Sequence, residues 1–223
     1  MVPKLPALSL LETRVLGVLV EKQRTVPDTY PLTLNALAAG CSQKTSRDPV
    51  LSVTEVEVQA TVDRLKSLSL VEESSGGRVM RYAHNIDRVL DVPAQAVALL
   101  ATLMLRGPQT VGELRINSDR LHRFADGSAV EAFLHELAGR GAGALVAELP
   151  RQPGARENRW THLLSGAPST ATVSAAAPQP AAGGVVAPAE LAALKESVRR
   201  LEDELDALKR QVAMLREELG NER

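Results

Sequence analysis

Aromatic side chains are almost absent. Tyr30, Tyr82, Phe124, Phe133 and Trp160 are the whole set among 223 residues, so any core has to be built from Leu, Val and Ala. Cysteine occurs once, at Cys41, which excludes an internal disulfide and suits a reducing, cytoplasmic setting. The longest apolar stretch, Ala96 to Leu105, is far shorter than the roughly 18 residues a membrane span needs. No charged segment followed by a long apolar run stands between Met1 and Leu11, so a signal peptide is not expected. Net charge is −1, which argues against a strongly basic nucleic-acid binder.

The residues of catalysis and metal binding are equally thin. His84, His122, His135 and His162 are scattered, and with a single cysteine no spacing fits a zinc site. Gly76-Gly77 reads as a turn, not a phosphate loop. Cys41 falls at the end of a helix, where the dipole disfavours a thiolate, so it reads as a buried or capping residue. No enzyme, cofactor, metal or small-molecule site is expected.

What is present is a series of elements stated twice. Ser9-x-x-Glu12, Ser52-x-x-Glu55, Thr110-x-x-Glu113 and Ser128-x-x-Glu131 each have the form of a capping box before an apolar run. In the first copy, helix one spans about 10–23, helix two about 32–40 and helix three about 53–68, the last with Val58, Val62 and Leu65 on one face. Two β-like runs, Leu70 to Glu73 and Arg78 to Tyr82, flank the glycine pair as a hairpin. In the second copy Val97, Leu100, Leu103 and Met104 mark helix one, and Val111 and Leu114 mark helix two. Val130, Leu134 and Leu137 mark helix three. Ala144–Leu149 and Asn158–Leu164 make its hairpin, turning near Pro153-Gly154. Three helices and a two-stranded wing are the elements of a winged helix. The expected class is mainly α (α+β): winged-helix domains over 1–88 and 89–165, a linker over 166–189 and a coiled coil over 190–223.

Three stretches also resemble the YceH-like family of bacterial proteins. They are Glu21-Lys22-Gln23, the run from Tyr30 to Leu37 (YPLTLNAL), and the run from Cys41 to Val50 (CSQKTSRDPV). Gly107, Thr110 to Arg115 and Pro153 to Glu157 add to the likeness, which covers about residues 8–164. The resemblance implies a tandem winged-helix architecture. It implies no activity.

A DNA-reading winged helix places helix three in the major groove and needs Arg, Lys, Asn or Gln on its outer face. Here the outward positions are Val56, Ala60, Asp63 and Ser67, flanked by Glu57 and Arg64, and in the second copy Glu131, Ala132, His135 and Glu136. Such faces repel phosphates. Positive charge collects instead in the long segments between helices two and three and in the wings. Candidate contacts to a nucleic acid or protein partner are Gln43, Lys44, Thr45 and Arg47, then Arg115, Arg120 and Arg123, and in the wings Arg78, Arg81, Arg151, Arg156 and Arg159. The polar run 43–48 is the foremost of these, with a loop closed by its own Asx and Ser/Thr turns as the alternative.

The composition changes after Leu164. Residues 166–189 carry no charge and four prolines, the make-up of a disordered, flexible linker of roughly 25–30 Å span. Leu191, Leu194, Val198, Leu201, Leu205, Leu208, Val212, Leu215 and Leu219 then alternate by three and four, a heptad seam with Leu at every d. Glu190 and Glu204 at g face Lys195 and Lys209 at e of a partner, as a parallel homodimer requires. The expected function is a dimeric, DNA-associated binding protein of transcription-regulator type. The alternative is a protein-interaction scaffold, similar to the paired winged helices of chromosome-segregation adaptors.

Overall fold

The fold was obtained as a computed structural model that describes residues 5–75 and 79–167. The described residues belong to one compact unit. The heptad seam, nearly all of the linker and the wing residue Arg78 lie outside the described residues. The class is α+β.

Helix α1 spans Leu10–Thr25, and its predicted box is formed: Glu12 N–H donates to Ser9 Oγ and Ser9 N–H to the Glu12 carboxylate. A 3₁₀ turn at Pro27–Thr29 leads into β1 (Leu32–Thr33) and α2 (Leu34–Cys41). The expected helix two begins two residues early because Leu32 and Thr33 pair with a later strand, and Thr33 then caps α2. Helix α3 is Glu55–Ser67, with Val58, Val62 and Leu65 buried as their spacing predicts. Its box is Thr54 with Glu57, not Ser52 with Glu55. Both pairs satisfy the same pattern, so the pattern could not choose between them. Strands β2 (Val71–Ser74) and β3 (Arg81–His84) close the half in a sheet of order β1-β3-β2.

A short helix, α4 (Ile86–Leu90), which no periodicity announced, leads to α5 (Ala94–Arg106). Helix α6 (Val111–Asn117) carries the predicted Thr110–Glu113 box. Helix α7 (Gly127–Ala138) starts from Asp126, whose carboxylate accepts Ala129 N–H at 2.9 Å; Ser128, the expected cap, donates its hydroxyl to Asp126 instead. Strands β4 (Val146–Leu149) and β5 (Arg159–His162) pair with Val146 opposite His162 and Leu149 opposite Arg159.

The duplication extends to fine detail. Leu32, just before the cap of α2, pairs with Tyr82 of β3; Gln109, just before the cap of α6, bridges to Trp160 of β5. Arg81 on β3 donates to the Pro31 carbonyl at 2.8 Å, and Arg159 on β5 donates to the Pro108 carbonyl at 2.8 Å.

The halves share one continuous core. Helix α1 packs along α5, and the approach is close because position 17 is glycine: a Cβ there would lie 2.9 Å from the Leu105 side chain. Helix α5 is buried from Ala96 to Leu105, an apolar run interrupted only by Thr102, whose hydroxyl donates to the Ala98 carbonyl. It ends at Gly107, whose φ of +73° suits a residue without a Cβ.

Candidate functional site

The packing of α1 on α5 decides where the charged loops go. Residues 42–54 join α2 to α3, and residues 118–126 join α6 to α7. The first part of each segment comes to the C-terminal ends of α1 and α5, where a polar cleft of about 240 Å³ opens between the two halves. Gln43, Thr45 and Ser46 line it from one side, Asn117 and Arg120 from the other, with Lys22 and Arg106 from the last turns of α1 and α5.

The loop 42–48 is held tightly from within. Gln43 Nε2 donates to the Thr45 carbonyl at 2.9 Å and to Thr45 Oγ1 at 3.2 Å, while its Oε1 accepts from Lys22 Nζ at 3.5 Å. Ser46 takes a left-handed backbone, φ 59°, and its Oγ accepts from Arg106 Nη2 at 2.8 Å. Arg47 turns inward. Its side chain has no exposure; it holds the Glu21 carboxylate at 2.6 and 3.2 Å and donates to the Gly40 carbonyl. Arg47 is therefore a structural residue, not a surface contact: a guanidinium out of water keeps its charge only with such partners. Beneath the loop Arg14 is fully buried and donates to the carbonyls of Cys41 and Pro49 at 3.3 and 2.6 Å. Burial, reinforced by Arg47, holds its guanidinium below the ordinary value. Cys41 is buried too, and burial pushes its thiol up to about 12, as far from a nucleophile as its helix position suggests.

The other nominated residues divide into two groups. Lys44, Arg120, Arg151 and Arg156 are exposed and form no ion pair among the described residues. Arg115 is exposed and its charge reaches Asp126. Arg123 leans on Asp119 at 3.4 Å but stays largely in solvent. By contrast Arg81 and Arg159 brace the segments ahead of α2 and α6 through the Pro31 and Pro108 carbonyls, and Arg159 also contacts Glu113 at 3.1 Å. The structure brings Gln43, Thr45 and Arg120 to one cleft and leaves the hairpin arginines Arg151 and Arg156 outside its lining.

The helix-three faces are as poor in readers as their sequences suggest. On α3, Val56, Ala60, Asp63 and Ser67 are exposed, and Arg64 is turned back onto the buried Glu12 at 2.5 Å. On α7, Glu131, Ala132 and Glu136 are exposed, and the His135 ring stands edge-on to Trp160 at 5.3 Å.

Three cleft residues, Lys22, Arg106 and Asn117, escaped the sequence reading. Lys22 and Arg106 sit in the last turns of helices, where a basic residue has an ordinary role against the dipole. Burial lowers the Arg106 guanidinium from its usual value, with Glu21 opposing the shift and Arg47 adding to it. No group of His, Cys, Asp and Glu that could hold a metal occurs among the described residues. None of the helices among them is long and apolar enough to cross a membrane.

Residues 8–155 match the family described as "Protein of unknown function, DUF480". A UPF0502 protein of Dechloromonas aromatica is 68% identical over 163 residues, covering 73% of this chain and 76% of its own. UPF0502 proteins of Burkholderia orbicola and Burkholderia vietnamiensis are 58% and 59% identical over 212 residues, 94% of this chain and 88% of theirs. A match of that length runs past residue 165, so kinship extends beyond the region of the sequence resemblance. The chain belongs to the DUF480/UPF0502 family of bacterial proteins, with which the YceH-like resemblance agrees.

Proposed function

We propose that the chain is a tandem winged-helix protein that associates with duplex DNA through phosphate contacts. It acts as a dimer joined by the heptad seam of residues 190–223. One observation carries the reading: among the described residues four exposed cations without ion pairs, Lys44, Arg120, Arg151 and Arg156, stand on the loops and hairpins and three more, Arg24, Arg88 and Arg115, on other helices, while the outer faces of α3 and α7 are small and acidic. Loop and wing cations hold the backbone and fix orientation without reading bases, so binding is weakly sequence-specific. Two heads on one zipper then gain strength from avidity over separated sites.

The test is binding to random-sequence duplex at two salt concentrations. A steep linear fall of log affinity with log salt is expected, and Lys44→Ala with Arg120→Ala should reduce that slope by about 2. Absence of binding at about 50 mM salt would overturn the reading.

A protein-interaction scaffold is favoured by a different observation. Val56 is 79% exposed on α3 between two glutamates, an apolar point on an acidic face. A partner for that face would be basic with an apolar anchor, and retention of the chain by such a protein, not by DNA, would favour this reading.

A further inference from the structure

We infer that the cleft between α1 and α5 is a binding site for a small phosphoryl anion, held by Arg106 and Arg120 of the second half and by Lys22 and Ser46 of the first. The inference does not rest on DNA association.

Charge is the first support. Three cations, Lys22, Arg106 and Arg120, line the cleft against a single lining carboxylate, Glu21, which the buried Arg47 holds from behind. That carboxylate is already occupied, by Arg47 at 2.6 Å and Lys22 at 3.6 Å. The cleft thus holds a surplus of positive charge, and the surplus falls on Arg106 and Arg120.

Hydrogen bonding is the second. Arg106 is partly buried, yet among the described residues its only polar partner is Ser46 Oγ, at 2.8 Å on Nη2. No carboxylate pairs with it there. A guanidinium carries five donors in a fork that matches phosphate oxygens, so the Arg106 donors not used by Ser46 remain free for an anion in the cleft. Asn117 has its Nδ2 committed to Gln109 Oε1 at 2.6 Å, which fixes its amide at the cleft wall. The cleft wall is thus hydrogen-bonded on the Asn117 side, and Arg106 keeps donors free.

Shape is the third. Both halves wall the cleft, so a duplex could meet its exposed residue Arg120 but not enter it, and about 240 Å³ is a little under the range of drug-sized pockets. A phosphate group with a small body fits. A phosphoryl group carries nearly two charges and three acceptor oxygens at neutral pH, whereas a monocarboxylate answers only one of the surplus cations.

The experiment uses the full chain with inorganic pyrophosphate as probe, at ionic strength held constant with sodium chloride. Calorimetry should show saturable binding and thermal unfolding should move up; acetate at the same ionic strength should do neither. Arg106→Gln and Arg120→Gln should each weaken pyrophosphate about tenfold or more, the loss expected for a charged hydrogen bond. Arg120 is exposed, so its variant keeps the fold even where the Arg106 variant does not. Lys44→Ala, outside the cleft lining, should leave pyrophosphate affinity unchanged, and Arg106→Gln should leave duplex binding unchanged. Pyrophosphate binding in a protein that ignores duplex DNA would sustain this site while removing the proposed DNA function. No saturable binding by the wild type, or full affinity in the Arg120 variant, would overturn the inference.

Discussion

Arg47 grips Glu21 with both terminal nitrogens, at 2.6 and 3.2 Å, and none of its side chain reaches solvent. The pair ties the polar loop to the last turns of α1 and stations Glu21 at the edge of the cleft. Arg47→Ala would strand a partly buried carboxylate and the Gly40 carbonyl. The expected loss is about 3–5 kcal/mol of unfolding free energy, read as a lower urea midpoint. Lysine cannot make the bidentate contact, so Arg47→Lys should recover only part of it. An unchanged midpoint in the alanine variant would show that the pair contributes nothing.

The α1–α5 interface is open to a direct probe at Gly17. Valine there places methyls where the Leu105 side chain already lies, 2.9 Å from the first added carbon. Either the Leu105 side chain or helix α1 must then shift, at about 1–3 kcal/mol for such overpacking. Gly17→Val should therefore lower the melting temperature. It should also weaken any ligand of the cleft, since that cleft is made by the same two helices.

His162 provides a pH test. Burial lowers its imidazole to about 4, because much of the water that would solvate the charged form is excluded. The unfolded chain titrates near the ordinary value of 6.5, so between about 6.5 and 4 the unfolded state binds a proton that the folded state refuses. Stability is full above that window and falls as pH drops through it. His84 is shifted in the same direction, also by burial. Urea midpoints at pH 7.5 and pH 4.5 should differ less in His162→Gln than in the wild type; equal differences would sink the assignment.

The tail prediction stands on sequence alone. Leu201 and Leu208 are neighbouring d positions of the seam. Glutamate at both would place carboxylates against their symmetry mates in an apolar seam, at several kcal/mol per ion. Leu201→Glu with Leu208→Glu should sediment as a monomer while the thermal transition of residues 1–165 is kept; the wild type should be a dimer at micromolar concentration. A double variant that stays dimeric would place association elsewhere.

Most of the helices could be read from periodicity because each buries one stripe on a single core, as Val58, Val62 and Leu65 do on α3 and Val130, Leu134 and Leu137 on α7. Helix starts were less legible. Thr54 and Ser52 present the same pattern, and Asp126 caps α7 without needing a glutamate three residues on. Helix α4 is too short to show a period. Of the cleft, Gln43, Thr45 and Arg120 could be picked out as polar loop residues, but Arg47 in the same run points the opposite way. Composition does not tell an arginine that faces water from one that faces a buried glutamate.

Local interactions depend on residues a few positions apart, so the repeated order of three helices and a hairpin was determined by the chain itself, as were the helix-three faces without base readers. The partner of each arginine was decided only by tertiary structure. Glu21 and Arg47 are 26 residues apart, and Ser46 and Arg106 are 60 apart. The second relationship and the cleft lie where α1 packs on α5, a contact that Gly17 keeps close. Close packing at that one contact sets which side chains meet, and no local pattern encodes it.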